Sequence, residues 1–435
     1  MKITFNELFK VNKLPLWIIF MSFGPYVLPN FGLRTEHVLI YFLLPFAIII
    51  LMMKKRTILS YSPLFNILML LFFITLWTLM ITFIGPKNYT LFVKVVAYLE
   101  DYFQPIAIIL ILSALLNFRS QESLITIFRE ACLLFIYLMM INSIIATVSI
   151  YYDLSSWISY FLKGTSISST VWAKSLIMGR YLGIFNQPIE AGLAYSLALI
   201  NWGYLTQMKR YISIGNYIIL FALLIGGILS VSKVFILGGI PLFVLYLISI
   251  KRIRFLINYR FVITATLGII MTMLIFKTWK GFNYFLRLFH FGNKSQDIVS
   301  LFTATRFGRG DTGVKYLFNY VWEKAPIYGL GFAAKTPLDN AYLAYFVQGG
   351  LIALIGYLAM LTIIALVGFN QFKKNKEGQL LFYLFVLILG GGIGAAVLSL
   401  NRISTVFWVL ITLILSIIYS RKLEKSNIYH RNPKI

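Results

Sequence analysis

Charged residues are few in this chain. Asp, Glu, Lys and Arg make up 12% of its 435 residues, where a soluble domain carries about a quarter, while 60% are hydrophobic and the mean hydropathy is +0.83. That balance excludes a water-soluble fold of this length. Cysteine is almost missing as well: Cys132 stands alone inside an apolar run, so neither a disulfide nor a cysteine metal site can form within the chain. The three histidines, His37, His290 and His430, are too scattered to form a metal cluster by spacing. No small-residue cleavage site follows Lys2, Lys10 and Lys13, so the first apolar run reads as a retained span rather than a signal peptide. Low-complexity linkers, repeats and a soluble tail are also lacking, which leaves one integral membrane domain over 1–435.

What the chain does have is apolar runs of about 20 residues, the length a helix needs to cross about 30 Å of hydrocarbon. Each is far longer than the roughly ten alternating residues of a barrel strand, so the expected class is all-α, a polytopic transmembrane helical bundle. Charged breaks delimit about twelve spans, near 15–30, 37–53, 63–84, 95–116, 131–152, 188–206, 212–230, 234–250, 261–277, 341–368, 380–400 and 404–420. Glu100 and Asp101 interrupt the fourth, marking either a polar site within the membrane or that span's outer end. Basic clusters at Lys54 to Arg56, Lys209 and Arg210, Lys251 to Arg254, Lys373 to Lys376 and Arg421 to Lys425 then share one side with Lys2 to Lys13. The positive-inside rule makes that side cytoplasmic, with both termini inside. The outer loops are short except at about 153–187 and 278–340; the second, before the tenth span, is long enough for a small cap. Its aromatics, among them Trp279, Phe282 and Phe285, suit helices lying at headgroup level.

A net charge of +25 would point to nucleic acid in a soluble protein; here the cytoplasmic loops explain much of it, and no nucleic-acid partner is expected. They do not explain the cations left on the outer side, including Lys163, Lys174, Arg180, Lys233, Arg306, Arg309, Lys315, Lys335 and Arg402. Lys277, Lys280 and Arg287 read most simply as snorkelling anchors. The others fit either as headgroup anchors or as a set converging on an anionic ligand. Arginine is the informative subset, because its planar fork suits bidentate recognition of phosphate or carboxylate. Arg180 opens the stretch Arg180-Tyr181-Leu182-Gly183-Ile184-Phe185-Asn186-Gln187-Pro188, Arg306 and Arg309 flank Phe307-Gly308, and Arg402 follows Asn401 in a turn between two spans. Ser230, Ser232 and Lys233 form another tight outer turn whose hydroxyls and N–H groups could meet an anion.

These residues resemble a known family. From Trp322 to Leu351, the order Pro326, Gly329, Gly331, Asp339, Asn340, Tyr342, following Arg306, resembles the signature of the bacterial O-antigen polymerase and ligase superfamily. Arg180, Gly183, Phe185, Asn186 and Pro188 resemble a second element of it, and Ser232-Lys233 stands where the family has a Ser-Arg turn, keeping the charge but not the fork. The resemblance covers about 175–360 and the twelve-span plan. It implies a membrane glycosyltransferase of the type C kind, at the outer face of a bacterial inner or plasma membrane, acting on polyprenyl-diphosphate-linked sugars. Ligases of that superfamily usually carry His where Asp339 stands, so Asp339 favours a polymerase that joins undecaprenyl-diphosphate-linked repeat units into O-antigen or capsular polysaccharide. A ligase passing finished glycan to a lipid A core or protein, and a polysaccharide flippase, are the alternatives.

In such a transfer the leaving diphosphate needs cations more than the reaction needs a nucleophile. Arg180, Arg306, Arg309, Lys233 and Arg402 are the expected diphosphate ligands. Asp339 is the first choice as base for the acceptor hydroxyl and Glu190 the second; Asp339 suits an N-cap equally, and Glu190 favours a helix dipole. Asn340, Tyr342 and Gln187 are expected at the substrate. The outer carboxylates Asp153, Glu190, Asp297, Asp311, Glu323 and Asp339 show no ligand spacing, so a reaction without metal or other cofactor is expected. The expected partners are the lipid-linked glycan, membrane lipids and a chain-length regulator protein. Gly390 to Gly394 reads as close helix packing rather than a phosphate loop.

Overall fold

A computed structural model of the chain describes residues 13–29, 32–53, 62–84, 92–116, 120–162, 170–208, 213–251, 279–282, 314–332 and 340–431, with the isolated positions 266 and 285. Helix α1 (Leu14–Ser22) ends just before Gly24-Pro25, because a residue ahead of proline is pushed out of helical conformation. A hairpin follows, β1 (Tyr26–Leu28) against β2 (Leu33–Arg34), with Tyr26 opposite Arg34. The expected first span at 15–30 is thereby corrected. It is a nine-residue helix, about 14 Å long, and then extended chain. Apart from this hairpin the described chain is helical: α2 (Thr35–Met52), α3 (Pro63–Ile84), α4 (Phe92–Leu116), α5 (Gln121–Val148), α6 (Ser155–Ile158), α7 (Val171–Ile177), α8 (Pro188–Gln207), α9 (Ile214–Leu229), α10 (Ile240–Ser249), α11 (Val314–Lys324), α12 (Ala341–Gln371), α13 (Lys376–Gly391) and α14 (Asn401–Arg431).

Six of these helices are long and apolar enough to cross a membrane: α2, α3, α4 from Tyr98, α5, α12, and α14 from Arg402 to Arg421. Their outward faces carry large exposed apolar side chains, among them Phe42, Phe83, Ile355 and Phe369, a surface suited to lipid and not to water. The expected twelve runs therefore resolve unevenly. The fourth continues as one helix through Glu100 and Asp101, which stand near the start of its apolar span, Tyr98–Leu116. The fifth starts ten residues early, at Gln121, because the Ser120 hydroxyl accepts from the Ser123 N–H (3.3 Å) and caps a polar first turn. The seventh and eighth are the shorter apolar helices α9 and, after a π-helical segment Val234–Gly239, α10. The ninth, 261–277, lies outside the described residues except for Thr266, as does most of the long loop 278–340. The eleventh stops at Gly391, where Gly391 lies against Leu193 of α8 and Gly394 against Ile189.

Helix α8 is the axis of the bundle. Sixteen of its 20 residues are buried, and it packs against α5, α9, α10, α13 and the π-helical segment. A helix that faces protein on every side has no need of lipid-compatible side chains, which is why Glu190, Asn201 and Thr206 occur here and its hydropathy is modest. Small residues allow the close approach: Gly192 abuts Ser232, and Gly203 abuts Tyr246 of α10.

Helix α12 is broken at Gly350, whose φ of 66° and ψ of −162° are not helical. In an unbroken helix the N–H groups of Leu351 and Ile352 would donate to the carbonyls of Val347 and Gln348. Here they donate instead to Pro326 O (2.9 Å) and Ile327 O (3.4 Å), while the Leu330 and Gly331 N–H groups take the vacated carbonyls, each at 2.8 Å. The inserted turn thus satisfies two N–H groups and two carbonyls that the break releases, as an apolar surrounding demands. Trp77 of α3 adds a bond from Nε1 to Gly349 O (2.9 Å), and the Phe332 N–H donates to Thr82 Oγ1 (2.8 Å). Gly329, at φ 75°, lies so close that a Cβ would stand 2.5 Å from Gly350 N and 2.7 Å from Gly349 N. Gly329→Ala adds both a clash and a left-handed penalty of about 1–2 kcal/mol, so its thermal unfolding midpoint in detergent should fall by several degrees. Gly390→Ala, at a helical position with open space around it, is the control and should leave the midpoint in place; equal midpoints for the two would contradict the docking.

Candidate functional site

Pro188 at the first position of α8 and Glu190 in its first turn are where the helix start favours a fixed φ and a negative charge. Glu190 is fully buried. Its Oε2 accepts from the Asn186 N–H (3.0 Å) and its Oε1 from the Arg402 N–H (3.2 Å), 212 residues away in the chain. One carboxylate thus closes the turn into α8 and caps the first turn of α14. The Arg402 side chain is also fully buried. Its Nη2 donates to Phe161 O (2.7 Å) and Gly24 O (3.1 Å), and its guanidinium lies 5.0 Å from the Tyr26 ring centroid. Nε and Nη1 have no hydrogen-bond partner among the described residues. Burying charged donors without acceptors is costly, so these two N–H groups mark the place where an anion would be most strongly held.

Tyr26 connects this arginine to a second charged group. Asn186 Nδ2 donates to its hydroxyl (3.1 Å), and the Arg34 guanidinium lies 6.0 Å from its ring centroid. Arg34 pairs with Glu36 through Nε. Burial works against the Arg34 charge, but Glu36, with Tyr26 and Glu100, outweighs it and holds the guanidinium protonated beyond its ordinary range. The Arg34 N–H lies 3.3 Å from His37 Nδ1, and Glu100 Oε1 lies 2.9 Å from Nε2 of the same ring. Arg34 Nη2 (2.8 Å) and Gln104 Nε2 (2.9 Å) close on the same nitrogen. Gln104 continues to Thr405 Oγ1 (2.7 Å), one turn beyond Arg402 on α14. Glu100 is the third residue of the apolar span that begins at Tyr98, and His37 and Thr405 stand in the first turns of α2 and α14, so the network ties together the starts of three spans.

Of the ten residues expected at the site, seven are described and all lie at one end of the bundle. Glu190 and Arg402 touch. Arg180 and Lys233 stand on neighbouring turns, joined by the Tyr181 N–H donating to Leu229 O (3.0 Å), and Ser232 next to Lys233 packs on α8 at Gly192. Val231 between Ser230 and Ser232 has φ 45°, a strained conformation for a β-branched residue. Gln187 is the half-exposed N-cap residue of α8, without a side-chain cap bond. Asn340 caps α12 itself: its Oδ1 accepts from the Leu343 N–H (3.0 Å) and its Nδ2 donates to Ile393 O (3.0 Å). The cap weighed for Asp339 therefore belongs to its neighbour. The Tyr342 hydroxyl donates to Leu389 O (2.8 Å) and holds α12 to α13. Asp339, Arg306 and Arg309 lie outside the described residues. Among the other outer carboxylates, Asp153 is exposed and its pKa is lowered by the Ser155 hydroxyl and by the Ser155 N–H that donates to it (2.9 Å), and Glu323 is exposed. Among the described residues no group of three or more His, Cys, Asp or Glu is placed to hold a metal ion.

The sequence reading did not include Arg34, Glu36, His37 and Gln104. Two signals for them were present: Glu100 and Gln104 share a face of α4 at i, i+4, and Arg34 is one more outer cation beside the start of a span. No model of a known protein family matches the chain, and a comparison with curated proteins finds no match either. Breaking the Arg34–Glu36 pair from one side should destabilise strongly, because a buried charge is left uncompensated. Glu36→Leu is expected to cost about 3–5 kcal/mol, and the double change Arg34→Met with Glu36→Leu distinctly less, measured as thermal unfolding in detergent. A double variant as unstable as the sum of its single changes would show that the two charges do not compensate one another.

Proposed function

We propose that this chain is a membrane glycosyltransferase of the type C kind, a polymerase that joins undecaprenyl-diphosphate-linked oligosaccharide repeat units into O-antigen or capsular polysaccharide. The observation that carries the reading is Arg402, fully buried with two guanidinium N–H groups unmet, at the end of the bundle where Arg180, Gln187, Glu190, Lys233, Asn340 and Tyr342 also gather. On a plan of about twelve spans with the basic clusters inside, that end faces the periplasm or exterior. Unmet guanidinium N–H donors suit the oxygens of a departing diphosphate, whose growing negative charge is what the transition state must accommodate. Arg180 and Lys233, with Arg306 and Arg309 from the long loop, extend the cationic field. Both oxygens of Glu190 already accept backbone N–H groups, so Glu190 positions Arg402 and the acceptor hydroxyl falls to Asp339, which Asn340 relieves of capping.

A transport role, as in a polysaccharide flippase, has its own support. The break at Gly350 is a feature that transporters use, and Glu36, His37 and Glu100 form an ionisable cluster at the starts of two spans. The two readings separate in one experiment. The purified full chain, reconstituted with lipid-linked repeat units, should produce a glycan ladder on a gel, and Arg402→Lys should slow extension about a hundredfold or more while keeping the parental unfolding midpoint. Arg180→Ala, Arg306→Ala and Asp339→Ala, run in parallel, should each lose extension. Extension at the parental rate by all four variants overturns the site. In cells, loss of a polymerase leaves one-unit glycan, loss of a ligase leaves untransferred polymer, and loss of a flippase leaves no outer glycan.

A further inference from the structure

A cavity of about 1420 Å³ opens at the end of the bundle opposite Arg402. The distance along α14 fixes that placement: its lining residues on this helix run from Leu415 to Arg421, at least thirteen residues past Arg402, or about 20 Å. The first turns of α3 and α5 and the last turns of α12 complete the wall. Four of the described lining residues are cations, Arg129, Lys374, Lys376 and Arg421, and one is a carboxylate, Glu377. Glu377 is already matched: Arg421 Nη1 lies 2.7 Å from its Oε2, and the Tyr204 hydroxyl donates to its Oε1 (3.0 Å).

Among the described residues the other cations have no carboxylate partner. Arg129 Nη2 (3.6 Å) and Lys376 Nζ (3.2 Å) both turn to the sulfur of Met208, and a thioether is a weak acceptor that cannot neutralise either. Two like charges from different helices are thus held within reach of a single atom, with Lys374 lining the same space. Their surroundings are half apolar. Phe65 and Leu366, both on the wall, are largely exposed, so the cavity offers a cationic mouth beside a hydrocarbon-compatible flank.

We propose that this cavity seats the phosphate headgroup of an anionic phospholipid from the leaflet at that end, between Arg129, Lys374 and Lys376, with its acyl chains along the apolar wall. The basic clusters from Lys373 to Lys376 and from Arg421 to Lys425 put this end on the cytoplasmic side, where the leaflet is anionic. The assignment is independent of the glycosyltransferase reading and holds for a transporter as well.

The test is native mass spectrometry of the detergent-purified full chain. It is incubated with dioleoyl phosphatidylglycerol, with dioleoyl phosphatidylcholine, or with phosphatidylglycerol in excess inorganic phosphate. The parent should retain phosphatidylglycerol in preference to phosphatidylcholine, and inorganic phosphate should not displace it. Arg129→Gln combined with Lys376→Gln should weaken retention about thirtyfold. Lys373→Gln, on the same surface but outside the cavity, should leave it unchanged. Thermal unfolding midpoints equal to the parent's show that the variants are folded. Equal retention of both lipids, displacement by inorganic phosphate, or undiminished retention by the double variant would each overturn the proposal.

Discussion

A carboxylate sealed away from water has to be met by donors, and the way Glu190 is met organises one end of this bundle. Its two oxygens accept from the backbone of Asn186 and of Arg402, so the entry to α8 and the start of α14 are fixed to one another by three atoms of one side chain's head. From that joint Arg402 reaches Gly24 and Phe161, which draws the turn after α1 and the segment after α6 to the same point. Four distant stretches of chain therefore depend on one buried ion. A neutral residue at 190 would leave two N–H groups and a guanidinium without compensation in a place where water cannot help.

The same requirement explains the irregular backbone. Helices cross hydrocarbon because they satisfy their own polar groups, and a broken helix survives only if something else does so. At Gly350 that substitute is the Pro326–Gly331 turn, which takes two carbonyls and returns two in an even exchange. The Pro-x-x-Gly-x-Gly spacing has a packing reason of its own here, independent of chemistry. Only residues without a Cβ can pass so close to an opened helix at positive φ. Helix α8 follows the converse rule: enclosed by protein, it carries polar residues that a lipid-facing helix could not.

Much of the bundle was legible in the sequence because apolar runs state their length directly. α2, α3 and α12 begin within two residues of the runs that announce them. The first run misled because hydropathy counts Tyr26, Val27 and Leu28 as membrane residues, while Gly24-Pro25 and Pro29 had already ended the helix. α5 gained its extra turns from a cap at Ser120 that no hydropathy sum detects. At the candidate site, residue types were legible and partnerships were not. Arg402 and Glu190 stood out as an arginine and a glutamate in unusual places, but a bond between residues 212 apart has no signature in a single chain. The Arg34, Glu36, His37 and Glu100 network escaped for the same reason, since it joins three elements and only Glu100 interrupts a run visibly. Between Asp339 and Asn340 both side chains can cap, and geometry alone decides for Asn340.

Helix α14 offers a way to tell a structural cation from a ligand-seeking one. It carries Arg402 near its first turn and Arg421 some 28 Å further along. Arg421 faces Glu377, which Tyr204 also holds, and the charge is neutralised within the fold. Arg402 feels the Glu190 charge through space, but no carboxylate among the described residues is hydrogen-bonded to its guanidinium, and two of its N–H groups have no partner there although the residue is fully buried. Evolution of stability alone would favour an apolar residue over a buried charge left half met. An anionic ligand would complete what the fold leaves half met, and that is the physical reason the proposed diphosphate site is placed at the Arg402 end of the helix.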